Sequence, residues 1–362
     1  MNVTERNQFA KDYVTAKLDE ASARSIGDFS DLPDFDDLSS VLNDLVWVKA
    51  MGFRGLVLTA IVGLAINPDY DPLNNYYGSN PRSIFEKGIF YALRGRVPSG
   101  KSDPLNVAKN ASVLNENWAK GKRPEKAALA AVRYLQEIMD ADPERQERLI
   151  DFFFHSLWSY GDSVAKIKIV VPEREQLSNQ EFAHLCNRFV LEFPESGTVP
   201  QFVVFKILEA IYAHSSVDVE GGLESVFGTN TTSKKPADIW LEEDGKFTNL
   251  FEITVKKVDE KRLDDCVDSL AAMGILELPV QFICRLPQDV SELSDMKNNT
   301  ATVHGKHFDF QDIQEFIRSL ITLLSQEQIT VLLAEFGAFL ELVERPIATK
   351  DGWNQILSEM DF

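Results

Sequence analysis

At 362 residues, 44% hydrophobic and 26% charged, the chain has material for two or three domains and a sizeable core. Its net charge of −19 weighs against a protein that coats nucleic acid non-specifically, because phosphate neutralisation by Lys and Arg supplies most of that binding. The longest apolar run, at 56–66, has 11 residues against the roughly 20 that cross a bilayer, and the polar start MNVTERNQFAKDY lacks the zones of a signal peptide. A cytoplasmic protein with no membrane contact is expected. Cys186, Cys266 and Cys284 lie far apart without a CxxC or a nearby histidine pair, which argues against a disulfide frame or a zinc site and for core thiols.

In chain order, periodic apolar positions predict helices in ERNQFAKDYVTAKLDEA (5–21), DLSSVLNDLVWVKA (37–50) and PEKAALAAVRYLQEIM (124–139), the last opened by Pro124. The run at 56–66 reads as a buried helix. NPDYDPLNNYYGSNPR (67–82) is rich in turn formers and leads into a basic island. Residues 80–126 carry ten basic side chains (Arg82, Lys87, Arg94, Arg96, Lys101, Lys109, Lys120, Lys122, Arg123 and Lys126) against four acidic ones, a local charge of ten minus four, +6. AKIKIVV (165–171) alternates like a strand, 179–193 reads as a helix, and PESGT then breaks the chain, placing a boundary near Ser196.

Beyond that break, helix and strand alternate. PQFVVFKILEAIYAH reads as a mostly buried helix. ADIWLEED and GKFTNLFEITVKK read as two strands joined at Asp244-Gly245, a dipeptide suited to the positive φ angles of a tight hairpin. VDEKRLDDCVDSLAAMG is an amphipathic helix ending at Gly274, LPVQFICRL a further strand, and the chain from about Phe308 is helical. The expected architecture is mixed α/β: a mainly helical region 1–195, a core 196–300 built as helix, β-hairpin, helix, strand, and C-terminal helices 301–362 packing on that core.

GRVPSGKS (95–102) fits the phosphate-loop pattern G-x-x-x-x-G-K-[ST], which would make Lys101 and Ser102 the phosphate and Mg²⁺ contacts of an ATPase or GTPase. That chemistry needs a strand ending at the first Gly and a helix beginning at GK, so that backbone N–H groups wrap the phosphates. Upstream, PRSIFEKGIFYALR reads at least as well as a helix. Downstream, Asp103-Pro104 opens a helix after the motif, and no apolar strand ending in Asp follows. The nucleotide reading stands as the alternative, and the segment itself reads as a basic loop between helices.

The hairpin offers better chemistry. Strand alternation puts Glu252, Thr254 and Lys256 on one face, and a hairpin turning at Asp244-Gly245 can bring Asp238 alongside Glu252. Buried together, the two carboxylates would repel and one would tend to hold a proton; a divalent cation, Mg²⁺ by preference, removes that conflict. Such an ion could neutralise charge on a phosphodiester in flight, with Lys256 orienting or helping to deprotonate the nucleophile. Lys257 points to the other face. The segment TNTTSKKP before Asp238 adds hydroxyls, an amide, Lys234 and Lys235, groups that hold DNA phosphates.

Pro236-Ala237-Asp238, thirteen intervening residues and Glu252 with a lysine close behind resemble the PD-(D/E)xK nuclease superfamily over about 200–287. The sequence departs from that pattern where Thr254 occupies the usual lysine position and the lysine stands at Lys256. The resemblance implies an accessory acid from the helix before the hairpin, for which Glu209 is the matching residue. The basic island mixes Arg82, Arg94, Arg96, Lys101, Lys109, Asn106, Asn110, Asn115 and Asn117 with Tyr76, Tyr77 and Trp118, side chains suited to base edges and phosphates. The whole chain is similar to a type II restriction endonuclease. That resemblance implies site-specific cleavage of double-stranded DNA with Mg²⁺, a homodimer, and a companion DNA methyltransferase acting on the same site. A nuclease-like DNA-binding protein without activity is the non-enzymatic alternative.

Overall fold

The computed structural model describes residues 1–109, 111, 113–172, 177–222, 235–294 and 296–360. The chain divides into two compact units, Met1–Ile167 with Glu341–Ile347, and Lys168–Leu340 with Ala348–Phe362. The first boundary therefore falls before the expected one near Ser196. The reason is the helix at 179–193, whose apolar face (Phe182, Leu185, Cys186, Phe189, Val190) is buried in the core of the second unit.

The first unit is helical: α1 (Val3–Ser22), α2 (Phe35–Val46), α3 (Met51–Ile66), α4 (Pro81–Ile84), α5 (Phe90–Leu93), α6 (Asp103–Ala108), α7 (Glu116–Lys120), α8 (Glu125–Asp140) and α9 (Pro143–Ala165). A π-helical turn, Phe85–Ile89, links α4 to α5. Local chemistry sets the ends. Asn2 Oδ1 accepts the Glu5 N–H and Glu5 Oε2 accepts the Asn2 N–H, both at 3.0 Å, a reciprocal cap that opens α1. Asp142 caps α9 ahead of Pro143 by accepting the Arg145 N–H at 2.9 Å. The expected buried helix is α3, which is enclosed on every side from Gly52 to Leu64. Among the described residues no single helix is long and apolar enough to cross a membrane.

The second unit is mixed α/β. Its elements are α10 (Asn179–Glu192), α11 (Thr198–Tyr212), β1 (Val217–Gly221), β2 (Ile239–Glu243), β3 (Lys246–Ile253), α12 (Glu260–Met273), β4 (Val280–Cys284), β5 (Thr300–Val303), β6 (Lys306–Asp312), α13 (Ile313–Ile321), α14 (Gln326–Glu341) and α15 (Ile347–Glu359). The strands form one six-stranded sheet in the order β1-β2-β3-β4-β6-β5. β3, β4 and β6 run parallel, and the remaining pairs are antiparallel. One face, with Ile239, Leu241, Phe251 and Ile253, packs on α10, α11 and the C-terminal helices through Phe202, Ile317, Phe336 and Trp353. The other, with Leu250, Phe282, Phe308 and Phe310, packs on Leu263, Cys266 and Leu270 of α12. The C-terminal helices are thus part of this unit's core.

Three strands were not expected, and one expected strand is not formed. β1 and β6 alternate in sequence (VDVEG; Phe308 and Phe310 in KHFDFQD), so β6 starts where a helix was anticipated. β5 is a short partner to β6. At 165–171, α9 continues through Ala165 and the following residues have no strand partner among the described residues. The backbone there is satisfied by side chains of α15 instead. The Val170 N–H donates to Asn354 Oδ1 (2.9 Å), Trp353 Nε1 donates to the Val170 carbonyl (2.7 Å), and Asn354 Nδ2 donates to the Lys168 carbonyl (2.8 Å).

Candidate active site

The hairpin turns at Asp244 (φ 51°) and Gly245 (φ 72°), both in the left-handed region that a two-residue turn requires. That turn alone does not align the carboxylates. The pairs next to it, Glu243 with Lys246 and Glu242 with Phe247, would if continued set Asp238 opposite Phe251. A bulge between Leu241 and Glu242 shifts the register, so that Leu241 faces Asn249, Trp240 faces Leu250 and Ile239 faces Phe251. One step further, Asp238 lies across from Glu252. Because a one-residue slip moves every side chain to the opposite face, this bulge is what puts the two carboxylates together. Thr248, the extra residue, donates its hydroxyl to the Leu241 carbonyl at 3.3 Å.

Asp238 is pinned through its backbone from two sides. Its carbonyl accepts the Gly222 N–H and Gln201 Nε2 of α11, each at 3.0 Å. Gly222 has φ 61°, and a Cβ there would stand 2.0 Å from the Phe205 ring, so the close approach of the β1 end to α11 depends on glycine. The side chain turns back on the strand: Asp238 Oδ2 accepts the Ile253 N–H at 3.0 Å. Its carboxyl is held well above the usual carboxylate range, first by loss of solvation and next by the negative charge of Glu252. The Ile253 hydrogen bond, Arg262 and Lys235 pull the other way. Glu252 itself is 6% exposed.

The cation that meets these carboxylates is not the expected one. β3 ends at Ile253, so strand alternation does not carry to Lys256. Thr254 is buried, and its hydroxyl accepts the Lys256 N–H at 3.1 Å, turning the chain away and leaving the Lys256 side chain exposed. The loop is fastened beyond that point. The Thr254 N–H donates to the Ile283 carbonyl, the Val258 N–H to the Asp289 carbonyl, and Arg285 Nη2 to the Val255 carbonyl at 2.6 Å. Arg262, in the first turn of α12, reaches back instead: Nη1 donates to Thr254 Oγ1 at 2.9 Å and Nη2 to Glu252 Oε2 at 3.4 Å. Sequence reasoning passed over Arg262, although the N-cap Asp259, three residues before it, marks which turn it occupies.

The other expected residues scatter. Glu209 is exposed on α11, whose buried face packs on the sheet surface opposite the carboxylates, and it pairs with Lys206 at 2.6 Å. It also lies eight residues beyond Gln201, about 12 Å along the helix axis. An acid inside an apolar helix run proved to be its solvent edge. Lys257 is exposed and pairs with Glu292. Lys235 lies near enough to Asp238 to lower its proton affinity, while Lys234 lies outside the described residues. Cys266 is buried close by, its thiol pushed up to about 12 by burial, which suits packing and not nucleophilic chemistry.

In the first unit, Gly95–Ser102 follows a helical turn and not a strand, so no strand end delivers Gly95 as a phosphate loop requires. Ser102 Oγ donates to Glu86 Oε1 at 3.3 Å, and Lys101 lies over the Tyr91 ring at 5.9 Å. Much of the basic island is answered by acids: Arg96 by Asp19, Arg82 by Glu86, Lys126 by Asp44, Lys120 by Glu116 and Arg123 by Glu125. Arg94, Lys101 and Lys109 are exposed and make no ion pair among the described residues. Tyr76 is buried and so unable to stack on a base, and Asn110 lies outside the described residues.

No protein-family model matches the chain, and no curated protein does so either. The site's own donor set therefore decides what it could hold. Among the described residues no group of three or more His, Cys, Asp and Glu side chains converges as a metal site. Two carboxylates beside each other, one with a raised proton affinity, fit Mg²⁺, which keeps several of its waters and takes one or two protein carboxylates. They do not fit zinc, which takes three or four protein ligands.

Proposed function

We propose that the chain is a Mg²⁺-dependent endonuclease that hydrolyses phosphodiester bonds of double-stranded DNA, acting as the type II restriction enzymes it resembles. The observation that carries this reading is the meeting of Asp238 and Glu252, set by the bulge at Thr248, with Arg262 and Lys235 close to them. The order of α11, the β1–β3 meander, α12 and the parallel strand β4 agrees with the helix, hairpin, helix and strand that the resemblance implies.

In this reading Asp238 and Glu252 hold the cation, and the cation supplies positive charge against the charge that builds on the phosphodiester. The chain's own part is to keep the two carboxylates aligned. The Gln201 and Gly222 bonds fix Asp238, and burial in the sheet fixes Glu252. Phosphate contacts outside the site fall to Arg94, Lys101 and Lys109, since Arg82 and Arg96 are engaged by acids. A homodimer and a companion methyltransferase belong to the same proposal.

Purified protein should cut plasmid DNA with Mg²⁺ and not with EDTA, and unmethylated phage DNA should give discrete fragments. Asp238→Ala should lower the cleavage rate by about a thousandfold or more, the loss of several kcal/mol of transition-state stabilisation. Normal cleavage by that variant sinks the assignment. Salt-sensitive DNA binding without cleavage under any divalent metal supports the inactive, DNA-binding alternative.

A further inference from the structure

The sequence pattern leaves the site without its cation: Thr254 occupies the lysine position, and Lys256 is carried off the strand into an exposed turn. The space is filled from a different element. Arg262 is the third residue of α12, and its backbone N–H is held by the N-cap Asp259 at 2.9 Å. Its guanidinium is fixed on three sides, by Thr254 Oγ1, by Glu252 Oε2, and by the fully buried ring of Phe282, whose centroid is 5.5 Å from Cζ. Phe282 is also the register partner of Glu252 across the parallel β3–β4 pair, so ring, carboxylate and guanidinium belong to one rigid patch of sheet.

Two features of this arrangement exceed what neutralising Glu252 requires. At 3.4 Å the contact to Glu252 is long for a charge-assisted bond, whereas the short 2.9 Å bond goes to a neutral hydroxyl. The guanidinium is thus positioned mainly by Thr254 and Phe282. About a third of the side chain (31%) remains exposed while both of its partners are buried, and the two bonds to Thr254 and Glu252 use only two N–H groups of the five-N–H fork. An immobilised cation beside two carboxylates, open on its outer side, suits an anionic substrate oxygen.

We propose that Arg262, and not Lys256, is the cationic catalytic residue of this site, binding a non-bridging oxygen of the scissile phosphate and stabilising the negative charge that develops there. The assignment rests on the endonuclease reading above. In the reaction one water oxygen bonds to phosphorus as one P–O ester bond breaks. The products are a phosphate monoester and a hydroxyl end; the proton lost by the water goes to solvent, and the departing oxygen takes one from solvent. Arg262 moves no proton, because a guanidinium stays charged throughout the working pH range.

The test compares Arg262→Gln, which keeps hydrogen-bonding capacity without charge, with Arg262→Lys, Lys256→Ala and the double variant Arg262→Gln/Thr254→Lys. Each is assayed for plasmid cleavage with Mg²⁺, for duplex binding by fluorescence anisotropy, and for Mn²⁺ binding by electron paramagnetic resonance. Arg262→Gln should lose about a hundredfold or more in cleavage rate, with duplex affinity within about threefold and Mn²⁺ affinity unchanged or tighter, since a neighbouring positive charge has been removed. Arg262→Lys should recover part of the rate. The double variant should recover about tenfold over Arg262→Gln, by returning a cation to the strand position. If Arg262→Gln is unfolded by circular dichroism, the folded Arg262→Lys and double variants still decide the point against Lys256→Ala. A loss in Lys256→Ala equal to or larger than that in the Arg262 variants overturns the assignment, as does loss of Mn²⁺ binding in Arg262→Gln, which marks a structural role. Wild-type protein that cuts nothing overturns the nuclease reading itself, whereas wild-type cleavage matched by Arg262→Gln overturns this assignment alone.

Discussion

The Gly95–Ser102 segment of the first unit and the end of the β2–β3 hairpin in the second both gather charged groups, and they resolve that charge in opposite ways. Around Gly95–Ser102 the buried and half-buried groups are met inside the fold, while Lys101 stays exposed. Arg54, 3% exposed, donates to the carbonyls of Val46, Val48 and Pro98 and stacks over Tyr160 at 4.5 Å. Arg96 is held by Asp19, and the Gly95 N–H donates to Glu344 at 2.7 Å. A Cβ on Gly161 would lie 2.0 Å from the Arg96 carbonyl, so α9 seals the loop from below. At the hairpin, two carboxylates are brought together out of solvent, and burial first and their mutual repulsion next raise the proton affinity of Asp238. Buried charge that is answered inside the fold serves stability, while buried like charges brought together mark a place prepared for something to bind.

The largest effect that could break this contrast comes from Arg54. Arg54→Met keeps the length of the side chain and removes every donor, stranding three carbonyls in a buried site. It should cost about 3–5 kcal/mol, the range for breaking a buried charged network, and lower the melting temperature by roughly 10 °C. A melting curve within a degree of wild type would mean that these carbonyls find other donors, and that the loop is less internally satisfied than its hydrogen bonds indicate.

A smaller effect of opposite sign is expected at Asp238. Its carboxyl binds a proton more tightly folded than unfolded, so folding takes up a proton as pH falls toward its raised value. The associated stability is present at low pH and is lost as pH rises from the ordinary carboxylate range through that value. Asp238→Asn removes the dependence. The variant should therefore be more stable than wild type at pH 8, by about 1–3 kcal/mol, with the advantage shrinking toward pH 5. Millimolar Mn²⁺ should raise the melting temperature of wild type at pH 8 and leave Asp238→Asn unchanged. An Asn variant less stable than wild type at pH 8 would show that the carboxylates are already neutralised, and the contrast between the two regions would fall.

How far these regions could be read from sequence follows from the range of the interactions involved. The Asp244-Gly245 turn, the helix opening at Asp103, the buried α3 and the alternation of β2 and β3 are local and were legible. So was the idea that Asp238 and Glu252 share a face, but not its cause: the bulge at Thr248 depends on pairing with β2 and leaves no periodic mark of its own. Arg262 was hidden because strand periodicity was followed past the end of β3, where the Thr254 hydroxyl redirects the chain. Glu209 misled for a related reason, since a single acid among apolar residues gives no sign of which edge of a helix it occupies. α10 was assigned to the wrong unit because the partners of its apolar face, such as Phe336 and Trp353, lie far along the chain.

The smallest expected effect separates the two readings of GRVPSGKS. Lys101 is exposed, and its contact in the fold is the Tyr91 ring at 5.9 Å, worth about 0.5 kcal/mol at a surface site. Lys101→Ala should therefore shift the melting temperature by less than about 2 °C. Millimolar ATP or GTP with Mg²⁺ should stabilise neither wild type nor variant, because a helical turn stands where a phosphate loop needs a strand. Duplex binding should still register the change. With one phosphate contact removed, the slope of log K against log salt should become shallower by about 0.9. Nucleotide-dependent stabilisation that is lost on substitution would restore the phosphate-loop reading. A salt slope that is unchanged would take Lys101 out of the DNA surface and leave Arg94 and Lys109 to carry that face.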